Sequence, residues 1–394
     1  MKLHSPEFAA DPHSAYGDLR RRCGPVAPVE IAAGVPATLV LGYREALQIL
    51  SDPFHFPPEP LAWQSTAGTE CPVLPIMEWL PKTSKTAGEN RHRYRGAYLA
   101  TLGNIDLYAL RRAVERTAMP LINSFCEAGS ADLLTQYAIP LTVRVLNELL
   151  GFAPEAGEKA FAAMSALRNA TDAASAELGN KMFTEVVSTV MAAKRAAPGA
   201  DVMSWLLEQS ADFDDAEIVQ EMAVLYATGT EPTWNLIANT LLLMVTDDEF
   251  HDDLLGGALS VRDAIDEVLF TDPPLANFCF SYPRQPQIVG ETWLPVHQPV
   301  VISLAACNND PAAVAGNRTG NRSHLAWGAG PHSCPAQSLA MIIVQEALDQ
   351  LLDALPDIEL AVPAEQLQWR PGGVHRALSV FPVAFPPSPP FTFG

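Results

Sequence analysis

The stretch that most restricts how this chain can fold runs from His324 to Leu352, HLAWGAGPHSCPAQSLAMIIVQEALDQLL. Gly328, Gly330 and Pro331 keep the backbone ahead of Cys334 out of any regular element. Pro335, directly after the cysteine, is a residue that a helix accepts at its first position. Leu339, Ile342, Ile343, Ala347, Leu351 and Leu352 then recur at helical spacing, so a helix follows the bend. The pattern predicts a thiol held where a bent loop meets a helix N-terminus. Unpaired N–H groups and the helix dipole favour a thiolate there, and a thiolate on a rigid loop is a good soft ligand for iron. Taken alone, a Gly-X-Gly-X-His-X-Cys run is equally compatible with a buried structural cysteine beside a turn.

The rest of the chain narrows the setting. Its 394 residues exceed the usual single-domain length, yet no Ser/Gly-rich linker, charge block or repeat divides them. Residues 1–394 are therefore expected to form one domain, with a loose tail at 389–394. At 48% hydrophobic residues the chain can bury a large core, and its Ala- and Leu-rich segments predict mostly helix with a minor β part. Residues 26–41 read as two short strands around a Gly-Val-Pro turn, and 43–51 as a helix. The Pro-, Thr- and Trp-rich stretch 52–88 reads as a long irregular connection, a kind of loop that usually carries function. Helical patterns follow to about residue 255, and strand patterning resumes over 287–304. Cysteines 23, 71, 126, 279, 307 and 334 show no CxxC pair or metal-ligand spacing. Without a signal peptide, this reads as a reduced, cytoplasmic protein. No apolar run reaches the roughly 18 residues that a membrane span needs. A formal charge of −20 argues against nucleic acid or anionic lipid as a partner.

The motif Trp327-Gly328-X-Gly330-X-His332-X-Cys334-X-Ala336 resembles the haem-binding loop of the cytochromes P-450. That loop reads Phe-Gly-X-Gly-X-His/Arg-X-Cys-X-Gly/Ala, so Trp327 stands in place of Phe. The resemblance covers essentially the whole chain and implies a triangular prism of helices around a buried haem b (iron protoporphyrin IX). It implies Cys334 as the proximal iron ligand, His332 as a contact of a haem propionate, and Trp327 and Gly328 as further cofactor-binding positions. In GENRHRYRGAYLATL, Arg91 and Arg95 share a helix face at i, i+4, which by spacing alone is a solvated basic face. Arg95 matches the arginine of the family's His-X-X-X-Arg segment and Arg91 stands where His is usual, so both are expected on a propionate. Arg93, on another face, is expected to help dock an acidic redox partner.

Further positions depart from the family's pattern. The central-helix signature Ala/Gly-Gly-X-Asp/Glu-Thr reads here Thr228-Gly229-Thr230-Glu231-Pro232. The acidic residue is kept, as a proton gate, but the hydroxyl is replaced by a proline. Pro232 should open the helix into a groove. Thr228, one turn earlier and on the same face, is expected to take over part of the missing threonine's role, or merely to bond a helix carbonyl. Thr233 is expected to point away. Glu267 matches the family's Glu-X-X-Arg, yet Phe270 occupies the arginine position; an apolar replacement there leaves Glu267 to backbone N–H groups or to Arg322. Ser281 stands where a further propionate-binding arginine is common.

The resemblance implies a haem-thiolate monooxygenase acting on a hydrophobic small molecule in specialised metabolism, with electrons from a ferredoxin and a ferredoxin reductase. Two other readings stay open: an oxidative-coupling or peroxide-driven enzyme, which depends less on the missing hydroxyl, and a haem-binding pseudo-enzyme serving as ligand sensor or protein partner.

Overall fold

The computed structural model describes residues 1–68, 71, 77, 85–86, 88–170, 172–210, 212–247, 250, 256–313, 318 and 320–391, leaving aside the side chains of residues 90 and 173. In chain order the elements are α1 (Pro6–Ala10), α2 (Pro12–Cys23), β1 (Val26–Ala32), β2 (Val35–Val40), α3 (Tyr43–Ser51), α4 (Leu61–Gln64), α5 (Gly88–Gly103) and α6 (Leu107–Asn123). Then come β3 (Ser130–Asp132), a π-helical turn Leu134–Ala138, α7 (Ile139–Leu150), α8 (Pro154–Arg168), α9 (Ala173–Ala196), α10 (Val202–Gln209), α11 (Asp215–Thr246) and α12 (Val261–Thr271). The chain closes with β4 (Asn277–Ser281), β5 (Gln287–Val289), β6 (Thr292–Leu294), β7 (Val300–Ser303), α13 (Leu304–Asn308), α14 (Gln337–Ala354), β8 (Glu359–Leu360) and β9 (Pro382–Ala384). The expectation of mostly helix with a minor β part holds.

α11 is the spine. Its 32 residues start from a capping box, in which Asp214 accepts from the Glu217 N–H and Glu217 accepts from the Asp214 N–H. Apolar side chains from Ile218 to Met244 are buried around most of its circumference, as a helix surrounded by others requires. α6, α7, α9 and α14 share that core. Pro232 lies inside α11, and the helix is continuous across it. The expected opening does not occur: buried neighbours on both sides of Pro232 hold the helix against the loss of one N–H donor.

The main sheet has the order β1-β2-β7-β4. β1 and β2 form the hairpin expected over 26–41, and β2 runs parallel to β7. β4 pairs antiparallel with β7 across a register shift between Phe278 and Phe280, and Cys279 at the shift has φ 59°. A bulge of this kind turns one side chain out of alternation. β4 falls outside the region where strand pattern was expected, and so does β3, which pairs with β9. The stretch 52–88 holds the short helix α4 and the start of α5; much of the remainder lies outside the described residues. The tail is not loose up to Phe391, whose backbone exchanges hydrogen bonds of 2.8 and 2.9 Å with the Asn123 amide. Residues 392–394 lie outside the description.

Candidate active site

The loop ahead of α14 is shaped by two left-handed glycines, Gly328 at φ 68° and Gly330 at φ 65°. A Cβ on Gly330 would sit 2.3 Å from the Leu50 carbonyl oxygen of α3, so only glycine lets this turn press onto that helix. The loop closes on itself through the Gly328 N–H to the Leu325 carbonyl at 2.7 Å and the Cys334 N–H to the Trp327 carbonyl at 2.8 Å. α14 begins at Gln337 with Ala336 as its N-cap residue. Pro335 therefore precedes the helix rather than occupying its first position, and Cys334 lies just ahead of the cap. Burial raises the Cys334 thiol above its ordinary pKa, while the Ala336 backbone N–H and Arg95 act in favour of the thiolate. A positive metal opposite the sulfur is the charge that would tip this balance.

Cys334 lines a cavity of about 1090 Å³ walled by the loop, α5, the middle of α11 and β4. Arg91 and Arg95 both reach from α5 onto the cysteine loop: Arg91 donates to the Pro331 carbonyl, and Arg95 to the Ser333 carbonyl at 2.8 Å. Among the described residues neither guanidinium has a carboxylate partner. Arg91 Nε, Trp327 Nε1, His332 Nε2 and Ser281 Oγ are buried with no protein hydrogen-bond partner, and all four residues line the cavity. Burial drives the His332 imidazole down to about 4, with Arg91 and Arg95 adding repulsion, so it is neutral near pH 7. Buried donors left open cost of the order of 1–3 kcal/mol each unless something accepts from them. An anionic cofactor carrying carboxylates beside an iron fits this set: two guanidiniums, an indole N–H, an imidazole and a hydroxyl line the same cavity as the Cys334 thiol, a soft ligand.

The opposite wall is α11. Thr228 faces the cavity, and its hydroxyl donates to the Val224 carbonyl at 2.7 Å; this is the helix-carbonyl bond that was the blander of its two expected states. Thr233, expected to point away from the iron, is buried and borders the cavity as well. Glu231 is held among cations. Arg370 Nη1 donates to Oε1 at 2.5 Å, and Arg168 Nη1 lies 3.9 Å from Oε2. Burial works against its ionised form, yet His375, Arg370 and Arg168 together hold the carboxyl below the usual range. Arg168, Arg370 and His375 were not singled out by sequence, since each is an isolated polar residue without a motif around it.

Two further expectations are corrected. Arg93 does not present a free charge: it pairs with Glu217 and is sandwiched between the Tyr94 and Phe213 rings, 4.7 Å from each centroid. Glu267 is held by Arg318 at 3.1 Å rather than by Arg322, which pairs with Asp266 at 3.0 Å. Phe270 is buried, as an apolar replacement should be, with its ring edge-to-face against His324 at 5.2 Å.

No protein-family model matches the chain. It is 28% identical to the cytochrome P-450 monooxygenase PikC of Streptomyces venezuelae, over 96% of this chain and 92% of the relative. It is also 28% identical to the 6-deoxyerythronolide B hydroxylase of Saccharopolyspora erythraea, over 97% and 98%. Among solved structures, it resembles CYP154C4 of a Streptomyces species, described as testerone-bound, at TM-score 0.88 and 25% identity over 98% of each chain. With such relatives spanning its whole length, and a thiol sharing its cavity with unanswered cationic and N–H donors, the chain belongs to the cytochrome P-450 superfamily of haem-dependent oxidoreductases.

Proposed function

We propose that residues 1–394 form a single monooxygenase unit that oxidises a hydrophobic small molecule in bacterial specialised metabolism, in the cytoplasm, with electrons from a ferredoxin and its reductase. The observation that carries this reading is the cavity itself: an apolar space lined by the Cys334 thiol together with the open donors of Arg91, Trp327, His332 and Ser281. When bound, haem supplies the oxidising chemistry. Cys334 would ligate its iron through the sulfur. Arg91, Arg95, His332, Trp327 and Ser281 would hold its carboxylates, and Gly328 and Gly330 keep the loop close enough to do so. The neutral His332 can donate without adding a third cation beside the two arginines.

The distal wall favours a second reading, an oxidative-coupling or peroxide-driven enzyme. Pro232 offers no hydroxyl, the Thr228 proton is engaged with the Val224 carbonyl, and Glu231 is tied to Arg370. Thr228 can still accept a proton-bearing partner from the cavity through its second lone pair. Two measurements test the reading. The reduced carbonyl complex should show the family's red-shifted Soret band, lost in Cys334→Ala and retained in Cys307→Ala, whose buried thiol lies instead against the Val40 and Gly42 carbonyls at 3.4 Å. A shifted band surviving in Cys334→Ala refutes the ligand assignment. A difference-spectroscopy screen of apolar metabolites, followed by turnover with ferredoxin and reductase or with peroxide alone, separates the two chemistries.

A further inference from the structure

Arg168 ends α8 at the edge of the cavity, where its guanidinium lies 5.5 Å from the centre of the Trp234 ring. The nearest described carboxylate oxygen, Glu231 Oε2, is 3.9 Å away. That is beyond hydrogen-bond range, and the other oxygen of this carboxylate is taken by Arg370 at 2.5 Å. Among the described residues no acceptor lies at hydrogen-bond distance from Arg168. A guanidinium carries five N–H donors in a planar fork that matches a carboxylate. Two guanidiniums around one carboxylate, beside the buried His375, leave this corner one positive charge in excess if the imidazole is neutral. Trp234 and Phe161, edge-to-face at 6.4 Å, supply apolar surface alongside, and both line the cavity.

We propose that Arg168 is a specificity-determining residue that binds a carboxylate on the substrate, whose apolar body packs along Trp234 and Phe161. The inference rests on the reading of this cavity as the substrate site. Arg370, by occupying Glu231, leaves Arg168 free to turn its fork toward the ligand. A substrate carboxylate would give this cation the two parallel hydrogen bonds that the protein does not. Neutral compounds of the same shape would leave a desolvated guanidinium without an acceptor, which is how a buried polar group rejects the wrong ligand.

The test uses the haem-loaded full chain and two matched pairs of probes, 2-naphthoic acid with its methyl ester and dodecanoic acid with its methyl ester. Affinities are measured by calorimetry. Each acid should bind at least about tenfold more tightly than its ester, the scale of one charge-assisted bidentate contact. Arg168→Gln should bring acid and ester to within about twofold by weakening the acids alone, and Arg168→Lys should retain part of the preference. Equal binding of acid and ester by the wild type overturns the proposal, as does a preference that persists in Arg168→Gln. The carbonyl band of each variant, measured on the same samples, reports the haem site separately. Its loss in the wild type would sink the family-based reading, whereas the Arg168 proposal falls on the acid–ester comparison.

Discussion

Replacing Phe270 by arginine restores the residue that the family's Glu-X-X-Arg pattern has, and the structure says it should fail. Phe270 is 1% exposed, with its ring edge against His324. The carboxylate one turn away, Glu267, already holds Arg318, which also donates to Asn309 Oδ1 at 2.8 Å and sits over the Phe270 ring at 5.4 Å. A new guanidinium would enter an apolar site beside an existing cation. The lost phenyl packing alone costs about 3–5 kcal/mol, by analogy with Phe→Ala in cores, and an unpaired buried charge adds to it. For a chain of 394 residues the unfolding entropy is roughly 0.8 kcal/mol/K near 60 °C, so the melting temperature should fall by at least about 4–6 °C. The assay is calorimetry of the holoprotein, with Phe270→Leu as a volume control expected to lose less. In the double variant Phe270→Arg/Arg318→Gln the new arginine gains sole access to Glu267, so part of the loss should return. A melt of Phe270→Arg that is unchanged or raised refutes the reasoning, because it would mean that a second arginine finds an acceptor here.

Other outcomes follow from the same packing. Gly330→Ala forces a Cβ against the Leu50 carbonyl at φ 65°, whereas Gly328→Ala meets nothing nearer than 3.7 Å. Both variants bear left-handed strain of about 1–3 kcal/mol, so the haem content of purified protein should drop markedly more in Gly330→Ala. With a substrate in hand, product formed per NADPH and peroxide released should show uncoupling in Thr228→Val. Thr233→Val should remain close to wild type, and equal behaviour of the two variants would dismiss Thr228. His324 is buried on Phe270, and burial drives its imidazole down to about 4. The unfolded chain, with an imidazole near 6.5, then binds more protons below that pH. Stability is therefore lost as pH falls from about 6.5 toward 4, by roughly 2 kcal/mol at pH 5 from this group. The fall in the urea midpoint between pH 7.5 and 5 should be correspondingly smaller in His324→Leu.

Local pattern alone determined the parts of this protein whose conformation is decided within a few residues. The hairpin β1–β2, the helix α3, and the passage from the glycine loop into α14 all follow from periodicity and from backbone positions that only glycine fills cheaply. Arg91 and Arg95 meet the cysteine loop because i, i+4 spacing puts them on one face, which the sequence states directly. Local rules also misled in places. A proline mid-helix predicts a break, yet α11 runs through Pro232 because its buried length is fixed by the helices packed around it. Arg93 looks like a surface charge until Glu217, Tyr94 and Phe213 close over it. The partner of Glu267, the bulge that turns Cys279 toward the cavity, and the group formed by Arg168, Glu231, Arg370 and His375 were decided only by the tertiary structure. Glu231 and Arg370 are 139 positions apart. No spacing rule links charges so distant along the chain: which cation reaches a buried carboxylate depends on how the helices and the C-terminal loops pack, and packing is a property of the whole fold.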